Sequence, residues 1–517
     1  MYSVTTFVLL FMVATAVAIG IRRFHIPYTV ALVLAGLFLG LVHFLHPPHL
    51  TKNLLFTVFL PGLLFEAAFH LDFQQFWRNR VIIHALAIPG VVAAIALTTL
   101  ILTLVADLLV AGKGFTWQYA LVFGALIAAT DPIAVVATFK KLGAPKRLSI
   151  IAEGESLIND GTGIVFFTLS LSLVMGNKVT LSSLGLDFVT IVGAGLIIGF
   201  AVGIAASQIA KRVEDPMIEI TITTLAAYGA FIVAEQFHSS GVIATVTAGL
   251  FCGNFGTQIG MSPSGRIAIE SFWEYVAFAL NSMVFLLIGF EVQIKALLSA
   301  WQMILVAFLA VTLGRGAVVL GVSAILRMTR ERIPWSWSAV LTWGGLRGAL
   351  PMVLVLSLPF EFPYRSLLVT MTFGVVLISI LLQGLTMAPL LKWLRIVKWQ
   401  KGREAIELAR GRLMAAYAGL ETLDHMAGSR VRNVSVESAL RKEYEEKIAA
   451  IEKDIGEMQP DLEQLQDREM RWTRRHLLLV EKNRVINAFQ EGRLSQRVYE
   501  KLVADIDALL LTVETEI

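Results

Sequence analysis

The sequence predicts an all-α polytopic membrane protein of about thirteen transmembrane helices, with inverted repeats, followed by a cytoplasmic helical tail. Three observations predict it. Of 517 residues, 56% are hydrophobic and only 16% are charged, where a soluble globule carries about 25% charge, and the mean hydropathy is +0.71. Apolar runs of the roughly 20 residues needed to cross a bilayer recur through the first 400 positions. After them the composition switches, and 401–517 holds more than half of the acidic residues in under a quarter of the length. We therefore expect two domains, 1–400 in the membrane and 401–517 in water.

The first run, 3–20, has no basic residue before it and Arg22 and Arg23 after it. A secretory signal shows the reverse, so this run reads as a retained helix. Further runs follow at 26–45, 53–71, 82–109, 117–139, 148–175, 185–209, 216–236, 240–258, 271–292, 297–326, 335–358 and 366–391. The third run contains "LPGLLFEAAFHLD", in which Glu66 follows Pro61 and Gly62. In the fifth, Thr130, Asp131 and Pro132 interrupt an apolar segment, and the proline is expected to kink or unwind the helix there. The sixth carries "AEGESLINDGTG", with Glu153, Glu155, Ser156, Asn159 and Asp160. Glu219 in the eighth and Asn281 in the tenth read as structural hydrogen-bonding groups. Glu214 and Asp215 fall at a boundary and read as solvated. The twelfth run is broken by "GGLRGALP", which holds a buried Arg347 and Pro351. It lies seven runs after the fifth, and an odd offset reverses direction, as in inverted-repeat transporters with paired interrupted helices.

Basic residues set the orientation. Every second loop carries Arg22 and Arg23, then Arg78 and Arg80, then Lys140, Lys141, Lys146 and Arg147, then Lys211 and Arg212, then Arg266, then Arg327, Arg330 and Arg332. The intervening loops hold Lys52, Lys113, Lys178, Lys295 and Arg365. The bias places the amino terminus outside and the carboxyl terminus in the cytoplasm, in the cell inner membrane. In the tail, Leu440, Tyr444, Ile448, Ile451 and Ile455 form one apolar stripe on a charged helix, suited to packing against neighbouring tail helices, with dimer contact or a regulatory role as the alternatives.

A buried carboxylate must be paired, neutralised or bound to a cation. At about 100° per residue, Ser156 and Asp160 share a face with Glu153 near them, while Glu155 and Asn159 point elsewhere. Asp160 lies 13 residues beyond Arg147, roughly 20 Å along the helix and near mid-bilayer. Arg347 requires a counter-charge, for which Glu155 is the first candidate and Glu153 the second. The single Cys252 excludes a disulfide framework. The net charge of +4 follows from the positive-inside loops rather than from a nucleic-acid footprint. The nine histidines scatter towards loops and helix ends without zinc-like spacing or a nucleophile and base pair, which argues against an enzyme. A cation channel would need a filter signature that is not seen, and a sensor using the tail as output is a further alternative.

With Thr130-Asp131-Pro132, "GESLINDG", "SGVIATVTAGLFCGN" and "GGLRGALP" in this order, the chain resembles the monovalent cation:proton antiporters, in the branch whose core motif is Asn-Asp. The resemblance spans nearly all of the first 400 residues, and the tail is similar to those of bacterial sodium/proton exchangers of that branch. It implies a homodimer in membrane lipid, with the fifth and twelfth spans as two crossed discontinuous helices. Asp160 would bind the cation or the proton, and Asp131 would line the approach or support the site. Thr130 would supply a carbonyl, Ser156 a hydroxyl and Glu66 a further oxygen. Glu155 would pair with Arg347, and Asn159 would steady Asp131 or the crossing. These oxygens suit Na+, with a K+/H+ exchanger as the alternative. Na+ and H+ are then substrates and no cofactor is expected. Because Asn159 cannot ionise, one proton per cation is expected, without net charge movement. Pro351 departs from the small polar residue expected after "GLRGA", which bears on the geometry of the twelfth helix.

Overall fold

The computed structural model describes residues 4–21, 27–42, 54–109, 115–176, 181–213, 215–256, 263–327, 331–397, 401–426, 434–457, 474, 477–478, 480–482, 484–489 and 493–515. Among them the regular structure is helical throughout. The chain divides into two compact units, residues 1–398 and 399–517.

The first unit begins with α1 (Val4–Gly20), α2 (Tyr28–Val42), α3 (Leu60–His70) and the short α4 (Phe73–Arg78). Next come α5 (Arg80–Ala85), α6 (Val91–Leu109), α7 (Trp117–Leu126), α8 (Ile133–Leu142), α9 (Lys146–Val174), α10 (Leu181–Ala210), α11 (Pro216–Gln236) and α12 (Gly241–Phe251). The unit closes with α13 (Pro263–Glu291), α14 (Ile294–Ser299), α15 (Trp301–Leu326), α16 (Trp335–Trp343), α17 (Ala349–Leu356), α18 (Arg365–Ile378) and α19 (Gly384–Trp393). Every one of the thirteen apolar runs carries helix. Among the described residues, seven helices are long and apolar enough to cross a membrane by length and composition, and five apolar helices are shorter. A total of thirteen crossings belongs to the proposal below. Arg22, Arg23, Lys52, Lys113, Lys178, Glu214 and Arg330 lie outside the described residues.

Prolines account for two of the local distortions. Pro89 sits inside a π turn, Leu86–Gly90, that joins α5 to α6, and another π turn, Leu55–Phe59, runs into α3 just before Pro61. Each proline removes one donor from the ladder, and the widened turn re-registers the bonds around the gap. Small residues let the helices close. A Cβ on Gly36 of α2 would collide with the Leu286 carbonyl of α13, and one on Gly289 would collide with that of Val33, the close approach that membrane helices favour. The outward side of α10 leaves Leu186, Val189 and Ile197 exposed, as a lipid-facing surface requires.

Loops expected on one side of the membrane meet at one end of the bundle. Arg147 donates from Nε to Asn79 Oδ1 at 2.7 Å and from Nη1 to the Arg332 carbonyl at 3.3 Å. Phe115 and Tyr119, at the start of α7, pack edge-on or tilted against Phe362 and Tyr364, which precede α18, at ends assigned to the opposite side.

In the second unit, α20 (Lys401–Met426) and α21 (Val434–Glu457) pack together, and α22 (Gln496–Thr515) ends the described chain. Tyr417 donates to Glu452 Oε1 at 2.9 Å, and Gly419 admits the Tyr444 ring, which a Cβ would block. Of the expected stripe, Ile448 and Ile451 are buried, Tyr444 is half-buried and Leu440 is exposed, while the side chain of Ile455 lies outside the description.

Candidate functional site

Two helices are broken in the middle of the first unit. The chain is unwound from 127 to 132 between α7 and α8, and from 344 to 348 between α16 and α17. The two breaks are tied directly, since Asp131 N donates to the Leu346 carbonyl at 2.8 Å. Pro132 explains the first break, because proline disfavours helical backbone at the residue before it and supplies no donor itself. Asp131 Oδ1 then accepts from Ile133 N at 2.9 Å, which caps the start of α8. In the second break Gly348 is required by proximity: a Cβ there would stand 2.6 Å from Asp131 Cβ. Pro351 falls in the first turn of α17, where a missing N–H leaves no intrahelical bond unmade, so the departure at this position does not disturb the helix.

The neighbouring α9 supplies the side chains that satisfy the first break. Thr130 N donates to Asn159 Oδ1 at 3.2 Å, and Asn159 Nδ2 donates to Thr130 Oγ1 at 2.7 Å. The Thr130 and Ser156 hydroxyls are 3.0 Å apart. All three residues are buried. Asn159 thus steadies the crossing through Thr130 rather than through Asp131. Ser156 and Asp160 line the cavity described next, whereas Glu155 and Asn159 do not. Ser156 and Asn159 nonetheless meet at Thr130, because residues three apart on a helix are also neighbours.

In front of the crossing lies a cavity of about 400 Å³. Its wall includes Glu66, Thr130, Asp131, Ser156 and Asp160, and also Asn281, His70, Lys140 and Glu153. The expected ion-site residues are therefore brought to one space. Asp131 and Asp160 are half-buried, and among the described residues no basic side chain lies within ion-pairing distance of either. Towards the mouth, Glu66 Oε1 is 3.3 Å from His70 Nδ1 and Glu153 Oε1 is 3.8 Å from Lys140 Nζ. Glu219 is buried on α11 and does not line this cavity.

Behind the crossing the charges are arranged differently from expectation. Glu155 does not pair with Arg347. It is held by Arg315 of α15, whose Nη1 and Nη2 donate to Oε1 and Oε2 at 2.7 and 3.2 Å. Arg315 also donates from Nε and Nη2 to the Leu341 carbonyl at 3.1 and 2.9 Å. Arg347 instead donates from Nη1 to the Ala128 and Ala129 carbonyls at 2.7 and 3.0 Å. The physical reason is the break itself: a half-helix ending inside the protein exposes carbonyls and the negative end of its dipole, and a guanidinium satisfies both. Neither Glu155 nor Glu153 is the direct partner of Arg347. Arg315 was missed although its signal stood in "VTLGRGAVV", an arginine in the middle of an apolar helix, which marks function or pairing wherever it occurs.

Known proteins resemble the chain in sequence and in fold. The profile described as "Sodium/hydrogen exchanger, transmembrane" matches residues 7–393. The chain is 35% identical over 429 residues to the Na(+)/H(+) antiporter ApNhaP of Aphanothece halophytica, across 80% of this chain and 78% of that one. It is 34% identical over 511 residues to the Na(+)/H(+) antiporter NhaG of Bacillus atrophaeus, across 95% and 94%. Its fold is similar to that of the sodium proton antiporter MjNhaP1 from Methanocaldococcus jannaschii, with a TM-score of 0.61 at 19% identity over 75% of this chain and 97% of that one. The motif resemblance is upheld, and the chain belongs to the sodium/hydrogen exchanger family.

Proposed function

We propose that the chain exchanges Na+ for H+ across the cell membrane by alternating access at a single site, with thirteen crossings, an external amino terminus and a homodimeric assembly. The observation that carries this reading is the pair Asp131 and Asp160, unpaired by any described base, facing one cavity with Thr130, Ser156 and Glu66. A carboxylate in that position is neutralised by a proton or by a cation, and the two ligands compete. Competition at a site that opens to one side at a time is antiport. Asp160 is the competing carboxylate. Ser156, the Thr130 carbonyl and Glu66 complete a set of hard oxygens suited to Na+. Asp131 both caps α8 and borders the site. Since the cavity reaches Lys140 in the basic last turn of α8, its mouth is assigned to the cytoplasmic side. Asn159 is spent on Thr130 and carries no charge, so one H+ moves per Na+ and the cycle is electroneutral.

The test is proton efflux from acid-loaded proteoliposomes with Na+, Li+ or K+ outside, on the native chain and Asp160→Asn. Na+-dependent efflux that is lost in Asp160→Asn is the expected result. Efflux that persists in the variant assigns the exchange to another carboxylate, and stimulation by membrane potential at saturating ions overturns electroneutrality. A faster K+ trace replaces Na+ by K+.

A further inference from the structure

The arginine frame behind the crossing borders a second, far smaller void of about 10 Å³. Arg315, Thr342, Arg347, Ser379 and Gln383 contribute to its wall, and it shares no lining residue with the large cavity. We propose that this void binds one buried water molecule, anchored by the Gln383 carboxamide and the Arg347 guanidinium, and that Gln383 is thereby a positioning residue for the broken helices.

Three observations meet here. Gln383 ends the π turn Ser379–Gln383 between α18 and α19, is only 3% exposed, and its Oε1 is buried without a hydrogen-bond partner. Buried amide oxygens are almost always satisfied, and because Gln383 lines the void, the missing donor is assigned to that space. Arg347 has five N–H donors, of which those on Nη1 serve the Ala128 and Ala129 carbonyls. Its Nε and Nη2 hydrogens meet no acceptor among the described residues. Thr342 donates its hydroxyl hydrogen to the Ser338 carbonyl at 2.8 Å and keeps its lone pairs. A water accepting from Arg347 and donating to Gln383 Oε1 and Thr342 Oγ1 makes the usual three bonds and satisfies the orphaned amide oxygen. The volume corresponds to about one water. Two guanidinium groups exclude a cation, and a halide is larger than the space.

The consequence for the ion site follows from Arg347. The water steadies the guanidinium over the carbonyls of Ala128 and Ala129, the two residues before Thr130. Gln383 therefore acts on the cation ligands through one water and one arginine, a step that rests on the exchange reading above.

Radiolytic labelling of the full-length protein in nanodiscs tests the water, because X-rays release hydroxyl radicals from it that oxidise an adjacent ring. Phe308 lines the void and is 5% exposed, while Phe123, at 0%, lies elsewhere and reports the dry background. Phe308 is expected to oxidise above Phe123 in native protein and in Gln383→Glu, which keeps an acceptor oxygen, and to fall to background in Gln383→Leu. In the exchange assay, Gln383→Leu raises the KM for Na+ by about 2- to 10-fold at unchanged kcat, the range of one lost hydrogen bond, and Gln383→Glu restores it. Native Phe308 as silent as Phe123, or oxidised equally in Gln383→Leu, removes the water whether or not the protein transports. Labelling as expected with an unchanged KM removes the positioning role. If Gln383→Leu does not fold, Gln383→Met takes its place and the native contrast alone decides the water.

Discussion

Glu155 and Asp160 stand five residues apart on α9 and carry the same functional group, yet their surroundings are opposite. Glu155 is 2% exposed and gripped by both terminal nitrogens of Arg315. Asp160 faces a cavity of about 400 Å³, with no ion-pairing base among the described residues. A carboxylate that owns a permanent cation has no need of an exchangeable one, and a carboxylate that owns none must take a proton or a cation from solution. One helix thus carries a fixed charge beside the break and a free charge, the one to which the exchange is assigned in the proposal above. The difference lies in what the neighbouring helices bring to each residue.

The largest effect should come from stranding the fixed charge. Arg315→Met leaves Glu155 buried and unpaired, which costs about 3–5 kcal/mol, and the unfolding temperature in detergent should drop together with transport. Adding Glu155→Leu removes the stranded charge and should recover most of the stability. Asp160→Asn belongs to the other class, so it should unfold no earlier than the native chain while its exchange is lost. If Arg315→Met is as stable as native, or if Asp160→Asn falls as far as it does, the division into fixed and free carboxylates is wrong.

An intermediate effect is expected where the two classes touch. Asn159→Ala deprives the buried Thr130 N–H of its acceptor and Thr130 Oγ1 of a donor, at about 1–3 kcal/mol. Because Thr130 lines the cavity proposed to hold the ion, the loss should appear both in thermal unfolding and as a weaker apparent affinity for Na+. A stability loss with native affinity would confine Asn159 to the frame.

How far these roles could be read from sequence differs by residue. Composition and run length were sufficient for an all-helical membrane unit, since the bilayer sets one length for every crossing element. Pro132 and the glycines from Gly344 to Gly348 announced both breaks, because backbone interruptions are written in residue types. The gathering of Asp131, Ser156 and Asp160 was legible from helical phase and the family resemblance. The partner of Glu155 was not. Pairing between helices depends on which of several arginines reaches across, and Arg347 was the obvious choice while the carbonyls exposed by the first break, its actual acceptors, have no letter in the sequence. Gln383 gave no signal either, since a lone polar residue in an apolar run does not disclose the void it faces.

The smallest effect should come from the cavity mouth, where a third carboxylate of α9, Glu153, sits between the two classes. Lys140 Nζ lies 3.8 Å from its Oε1 with the lysine side chain 74% exposed, so the pair is solvated and screened and contributes little. Lys140→Gln removes a positive charge from the entry path and should lower the KM for Na+ by no more than about fivefold, with kcat and stability unchanged. The difference should shrink as ionic strength rises, because the Debye length contracts from about 10 Å at 0.1 M salt to about 3 Å at 1 M. A shift that persists in high salt, or one much beyond about tenfold, would mean that the ammonium competes with Na+ at Glu153 itself. The free class would then have a second member on α9, and the path to Asp160 would begin with the displacement of a tethered cation.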